Sequence, residues 1–376
     1  MTRPVLITGA GVVSSLGEGL DAHLSAIAGP PAPRLESEHF APYPVHPAAP
    51  LAWDRQIPKK ADQRQMEPWQ RLGVYAAGLA LEAAGLKDDP DTKSRTQMIV
   101  AAGGGERDYA VDGQILTGLR DAADPGTFLN ERLMSDLRPT LFLAQLSNLL
   151  AGNIAIVHGV TGASRTFMGE EMSGVDALRI AWARIAAGQA DILLVGSSYN
   201  AERPDSLLIF GLGQYLWTGA FRPVRDRAAE GGGLVLGSAA AFLVLESAEH
   251  AEARGATARA RLSHVGSART GATAGGVERA IPRLWADAQP APDATVLTTM
   301  TGVSGPSTEE AEALVALAPN NPIVMLGDHL GHPLEAAAPL AAALGAGIVG
   351  ERGREAVIST VGHRRGAGLI RVSPAP

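Results

Sequence analysis

Two adjacent carboxylates, Glu170 and Glu171, stand just ahead of an apolar run that begins near Ser173 and stops at Gly188. That run reads as an interior helix, and a helix N-terminus carries about half a positive charge and free amides, so an anion is favoured there. Simple capping by Glu170 or Glu171 is the plain reading; a functional carboxylate at the head of a buried helix is the other. A second constellation is Asp328, His329 and His332. Two histidines three apart need further ligands in space, the sequence offers none with recognisable spacing, and Gly331 between them argues against one helix carrying both, so no metal site is expected. Gly9-Ala10-Gly11-Val12-Val13-Ser14 has part of a dinucleotide fingerprint. Ser14 replaces the third glycine and no acidic residue follows at the right distance, so no cofactor is expected and a tight strand-to-loop turn explains the glycines equally well. There is no Gly-x-Ser-x-Gly elbow. The chain has no cysteine, which excludes disulfides, thiolate zinc sites and a thiolate nucleophile.

These groups need a large scaffold to position them, and 376 residues with 46% hydrophobic and 19% charged content supply one. Strand-like and helix-like runs alternate, the pattern of an α/β protein with buried strands. Strands are expected at residues 5–8, 97–102, 192–195, 240–245, 259–265, 295–299, 323–326 and 357–361. Helices are expected at 69–84, 174–187, 309–316 and 339–349, with Gly85, Gly188 and Gly255 as left-handed stops. Residues 30–50 are Pro-rich and read as an irregular surface loop; residues 107–131 are weakly periodic and read as a cap or insertion. Gly231-Gly232-Gly233 marks a sharp turn close to another backbone. A loose similarity of layout between residues 1–230 and 231–376 hints at duplication. The net charge is −7 without a long basic run, so nucleic acid is not an expected partner. No stretch reaches the roughly 20 uninterrupted apolar residues of a membrane span, and the N-terminus reads straight into a strand, so a cytoplasmic protein is expected.

Taken in chain order, these segments resemble the β-ketoacyl-acyl carrier protein synthases of type II fatty acid and polyketide assembly. Residues 3–16 are similar to the family's opening strand and Gly-x-Gly turn. Residues 60–86, with Arg64-Gln65-Met66-Glu67-Pro68-Trp69, resemble the basic stretch and helix that follow. Residues 188–198 resemble the strand after the nucleophile helix. Phe221-Arg222-Pro223-Val224-Arg225-Asp226, residues 235–246 and Glu249-His250-Ala251-Glu252-Ala253-Arg254-Gly255-Ala256 match the crossover into the second half. The resemblance implies a thiolase-like α/β fold: two duplicated αβ halves, here 1–234 and 235–376, in a five-layered α-β-α-β-α sandwich, normally dimeric.

It also implies a chemistry, in which a Cys takes the acyl chain from a carrier protein while two histidines and a Lys assist decarboxylation and condensation. Carried over by position, Glu171 stands at the nucleophile, Thr301 at the first His, His332 at the second and Gly327 at the Lys. The late Gly-Phe-Gly-Gly gate reads Gly362-His363-Arg364-Arg365. An ion pair between Glu171 and His332 is expected to hold such a site together, since a lone buried carboxylate costs on the order of several kcal/mol. Lys59, Lys60 and Arg64 fall where the family docks its acidic carrier protein. The resemblance therefore implies a non-catalytic, chain-length-factor-like subunit that pairs with a Cys-containing ketosynthase, or with itself, and meets acyl carrier protein. A divergent condensing enzyme or malonyl-carrier-protein decarboxylase using Glu171 and His332 is the second reading, and an acyl- or carrier-binding scaffold the third.

Overall fold

Apolar runs too short to be helices line up into one continuous sheet, and the order of its strands records a duplication. The computed structural model describes residues 3–137, 140–271, 274–364 and 366–375. The first five long strands are β1 (Val5–Ser14), β2 (Gln97–Ala101), β3 (Ser164–Phe167), β4 (Ile192–Tyr199) and β5 (Ala239–Ser247). The next five are β6 (Ala260–Ala268), β7 (Thr295–Thr298), β8 (Ile323–Met325), β9 (Ala356–Val361) and β10 (Ala367–Ser373). In space the order is β3-β2-β4-β5-β1 and then β6-β10-β9-β7-β8. Each set has the same internal order and the same senses: β2 is parallel to β3 and β4, and β5 is antiparallel to β4 and β1. The second set repeats this strand for strand. The sets join where β1 meets β6, with Leu6 opposite Arg261 and Ile7 opposite Ala260. Counted by strands, the repeat turns over between β5 and β6, and the expected 234/235 division falls ahead of β5.

Helices fill three layers around these strands. The principal ones are α1 (Pro68–Ala83), α2 (Tyr109–Asp121), α3 (Pro125–Ser135), α4 (Leu149–His158), α5 (Glu171–Ala186), α6 (Pro204–Leu212), α7 (Gly276–Ala288), α8 (Ser304–Leu317) and α9 (Ala337–Arg352). α1 and α4 cover the outer face of β1, β4 and β5, and α7 and α8 cover the outer face of the second set. α5 and α9 lie between the two sets and share one apolar cluster with both. The result is the five-layered α-β-α-β-α sandwich. α9 is buried on every side from Ala337 to Val349, which is why its sequence is apolar all round rather than striped. The helical stretch Leu334–Arg352 is long and apolar enough to cross a bilayer, and 89% of its apolar window lies inside the protein. It is a core helix, and Glu335, Glu351 and Arg352 bound its uninterrupted apolar run.

Gly9 and Gly11 sit neither in a turn nor at the opening of a helix: β1 runs straight through them to Ser14. A Cβ at Gly9 would lie 2.3 Å from the Ala80 carbonyl oxygen, and one at Gly11 would lie 2.1 Å from that of Ala76. The glycines let α1 press its backbone onto the strand. Gly232 and Gly233 do make the expected close turn, with φ of +84° and +159° and Cβ positions 2.3 Å from the Ser304 nitrogen and 2.4 Å from that of Trp217. The weakly periodic stretch 107–131 is the helical pair α2–α3, whose N-termini are capped by Asp108 and Asp124. Most of residues 30–50 is irregular, with one two-residue strand at Val45–His46.

Candidate functional site

Glu171 is the first residue of α5, and its side chain turns away from the free helix amides into the interior. One oxygen, Oε1, accepts three hydrogen bonds: from His332 Nε2 at 3.0 Å, from His363 Nδ1 at 2.8 Å and from the His363 backbone amide at 3.2 Å. Glu171, His332 and His363 are each about 2% exposed. Burial by itself would push the Glu171 carboxyl up, but the hydrogen bonds from His332 and His363 and their proximity outweigh it and hold the group well below the usual carboxylate range. A carboxylate oxygen can only accept, so both rings place an N–H on it. The capping reading fails: Glu170 occupies the N-cap position without any side-chain bond to the helix amides.

Local backbone fixes each partner. His332 follows Gly331, whose φ is +75° and whose Cβ would meet the His46 ring at 2.6 Å. The His332 amide donates to the Val235 carbonyl at 2.8 Å, and its carbonyl accepts from Gly237 at 3.1 Å, so the residue is gripped like part of a strand. His363 sits in the turn between β9 and β10, closed by a bond from the Gly362 amide to the Gly366 carbonyl at 3.1 Å. The rings of Phe210 and Tyr215 pack edge-on against its imidazole at 5.3 and 4.9 Å. Gly174, one turn into α5, has no room for a Cβ, which would lie 2.3 Å from the Glu335 carbonyl oxygen. Behind Glu171, the buried Glu335 accepts from the Gly103 amide at 2.9 Å, and burial pushes its carboxyl up to about 7.

Thr301 and Gly327 make no hydrogen bond to Glu171 among the described residues. Thr301 is buried, with its hydroxyl 3.2 Å from that of Ser307 and accepting from the Val303 amide at 3.2 Å. At Gly327 a Cβ would lie 2.9 Å from Val224 Cγ2 and 3.2 Å from the Met300 carbonyl, so that position has little space for a long side chain. Asp328 turns to the Val224 amide at 2.6 Å while His332 turns to Glu171. Of the gate stretch, His363 enters the cluster and Arg364 reaches the outer side of Glu170 at 3.9 Å; Arg365 lies outside the described residues. Lys59, Lys60 and Arg64 are exposed around the short helix Lys60–Gln65, and Lys60 pairs with Asp54 at 2.7 Å. A cavity of about 260 Å³ reaches the cluster, lined by Glu170, Glu171, Met172, Asp176, Arg269 and Gly366 among others. Pairing of Glu171 with His363 had no signal in spacing, because 192 residues separate them.

The sequence profile of the family described as "Beta-ketoacyl synthase, N-terminal domain" matches residues 2–251. The chain belongs to the β-ketoacyl synthase family. It is 27% identical over 261 residues to 3-oxoacyl-[acyl-carrier-protein] synthase 2 of Vibrio cholerae, which covers 68% of this chain and 60% of that protein. The chain thus matches about three fifths of the length of such curated relatives. The fold extends the likeness to the whole chain. A β-ketoacyl synthase from Burkholderia phymatum superposes with a TM-score of 0.81 at 21% identity, covering 100% of both chains. The ishigamide ketosynthase/chain length factor superposes with a TM-score of 0.79 at 21% identity, again over 100% of both. These neighbours give the thiolase-like fold. In this β-ketoacyl synthase family member, the buried helix that the resemblance assigned to the nucleophile opens on a carboxylate already engaged by two imidazoles.

Proposed function

We propose that this chain is a non-catalytic, chain-length-factor-like subunit that pairs with a Cys-containing ketosynthase of fatty acid or polyketide assembly. The saturation of Glu171 Oε1 by three N–H donors carries this reading. The hydrogen bonds from His332 and His363 hold this carboxyl well below its usual range, and so weakly basic a carboxylate is a poor nucleophile. An acyl anhydride formed there would also be a poor resting intermediate. Thr301 and Gly327, at positions that resemblance assigns to catalytic assistance, supply neither an imidazole nor an ammonium group. The scaffold is kept while the chemistry is absent, which suits a partner subunit.

Two surface features support pairing. β3 is bonded to β2 on one side, and no strand covers its other edge among the described residues. Close in sequence, Met168 is exposed, as are Met134, Phe142 and Leu146. A solved ketosynthase/chain length factor shares the fold, and another neighbour is described as a type II polyketide acyl-carrier protein in complex with its ketosynthase. Acyl carrier protein would meet the exposed Lys59, Lys60 and Arg64.

The second reading, a decarboxylase using Glu171 and His332, is favoured by the cavity that reaches Glu171. One experiment separates the two. Malonyl-carrier-protein decarboxylation and acyl condensation are measured with the purified chain alone and after mixing with a Cys-containing ketosynthase encoded nearby. Silence alone, together with a changed rate or product length on mixing, is expected. Turnover by the chain alone, lost in Glu171→Ala, would establish the enzyme instead.

A further inference from the structure

The free edge of β3 carries a charge. Among the described residues β3 is bonded to β2 alone, and Arg165 is exposed on it. In register, Arg165 stands beside Ile99 and Phe167 beside Ala101. Ile99 and Ala101 belong to the apolar cluster shared with α5 and α9, so Arg165 lies on the inner face of the sheet, at its rim. The carboxylate next along the chain, Glu170, is turned to His363 and Arg364. On α5, which covers that inner face, Arg184 adds a second guanidinium and donates to Gln97 Oε1 at 2.9 Å, at the start of β2. We propose, resting on the pairing read above, that Arg165 makes β3 selective for the edge strand of a different chain, one that sets a carboxylate against it, and disfavours a second copy of this chain.

Strand geometry gives the selectivity its sign. A copy that pairs antiparallel with β3 about a two-fold axis keeps each side chain on its own face, so the axis passes through a residue rather than between two. With the axis at Arg165 the two arginines stand directly opposite, roughly 4.5–5.5 Å apart between Cβ atoms. With the axis at Ser164 or Thr166 they are diagonal neighbours, roughly 7–8 Å apart. Both separations fall within the roughly 8 Å over which physiological salt leaves charges coupled. Like charges so placed weaken a ladder, and an edge charge is a usual guard against a strand adding to its own kind. A carboxylate at the same place on another chain turns the repulsion into an ion pair, which selects that chain by a difference in affinity and speeds encounter. The exposed Met168 beside the edge would be covered by either occupant, so it does not make this choice.

The test uses the full chain and its charge variants, followed by sedimentation velocity at low and physiological salt. Against the Cys-containing ketosynthase encoded nearby, Arg165→Glu at this exposed position is expected to weaken pairing about tenfold, and Arg165→Lys to keep it within about threefold. The second arm needs no ketosynthase. The parent chain mixed with Arg165→Glu should associate about tenfold more tightly than either does with itself, and added salt should shrink the difference. A mixture no more associated than its components overturns the proposal, as does a ketosynthase that pairs equally with the parent and with Arg165→Glu. A parent chain that leaves the ketosynthase unpaired while the mixture associates sinks the subunit reading instead, and leaves the selectivity of β3 standing.

Discussion

The side chain and the backbone of His363 both donate to one oxygen of Glu171, at 2.8 and 3.2 Å. The β9–β10 turn and the head of α5 are therefore held by a single atom, with His332 bonded to it from a third segment. Removing the carboxylate leaves buried N–H groups unpaired, and breaking such a buried pair costs about 3–5 kcal/mol. Glu171→Ala should lose that much stability in urea unfolding. Crossed with His332→Ala in a double-mutant cycle, it should show a coupling of about 1–3 kcal/mol. Simple additivity would mean that the two side chains are neighbours without being partners.

A thiol placed at position 171 should not give condensation. Glu171→Cys places a thiol at a helix N-terminus, which favours thiolate, but Thr301 stays tied to Ser307 and no Lys stands at Gly327. Intact-mass measurement of the carrier protein after incubation with acyl- and malonyl-carrier protein should show condensation at background. Efficient product formation would show that this scaffold still holds a working site.

Three buried carboxyls give opposite pH signatures. Glu171 is depressed in the folded state, so its contribution is present above its unfolded value near 4.5 and is lost as pH falls towards the folded value. Burial pushes Glu310 and Glu335 up to about 7, so the folded chain holds their protons longer and loses stability as pH rises from about 4.5 to 7. Glu310 accepts from the Thr298 and Ser359 hydroxyls at 2.7 and 2.6 Å, a pairing that a neutral amide can keep. Glu310→Gln should therefore match the parent at pH 5 and exceed it by about 1–3 kcal/mol at pH 8. A pH-independent difference in denaturation midpoint would show that Glu310 does not titrate across this range.

Close backbone contact sets another limit. Gly174→Ala would push a methyl against the Glu335 carbonyl and Pro339 Cδ, at 2.3 and 2.9 Å. It should cost about 1–3 kcal/mol, as overpacking does. Gly104→Ala, where a Cβ meets nothing within 4 Å, should stay within about 0.5 kcal/mol. Melting temperatures of the two variants decide it, and equal shifts would show that α5 can move away from the 334–336 turn.

Much of the scaffold was legible because its strands are buried on both faces and read as plain apolar runs. Residues 192–195 and 357–361, for example, lie within β4 and within β9. Helices were found with late starts, as at α8, expected at 309 and beginning at Ser304, because Gly305 and Pro306 disguise the first turn. β10 was not marked, since Gly368 and Arg371 interrupt its apolar run; Gly368 packs against Val175, where a Cβ would lie 2.7 Å from both Val175 methyls. The Glu171–His332 contact could be anticipated from the resemblance alone. The third member could not: His363 was placed in the gate stretch, and only folding brings that turn onto α5.

The burial of α9 between the two sets of strands has a consequence for biosynthesis. The inner face of the first set, complete once β5 has been made at residue 247, is covered in part by a helix that starts at residue 337. On the ribosome the part that α9 covers, beside α5, stays bare for the synthesis of some ninety further residues, several seconds at least at roughly 5–20 residues per second. The nascent chain is then a half-built sandwich with an open apolar wall. Its yield in cells should depend on chaperone capacity and translation speed more than the stability of the finished protein would suggest.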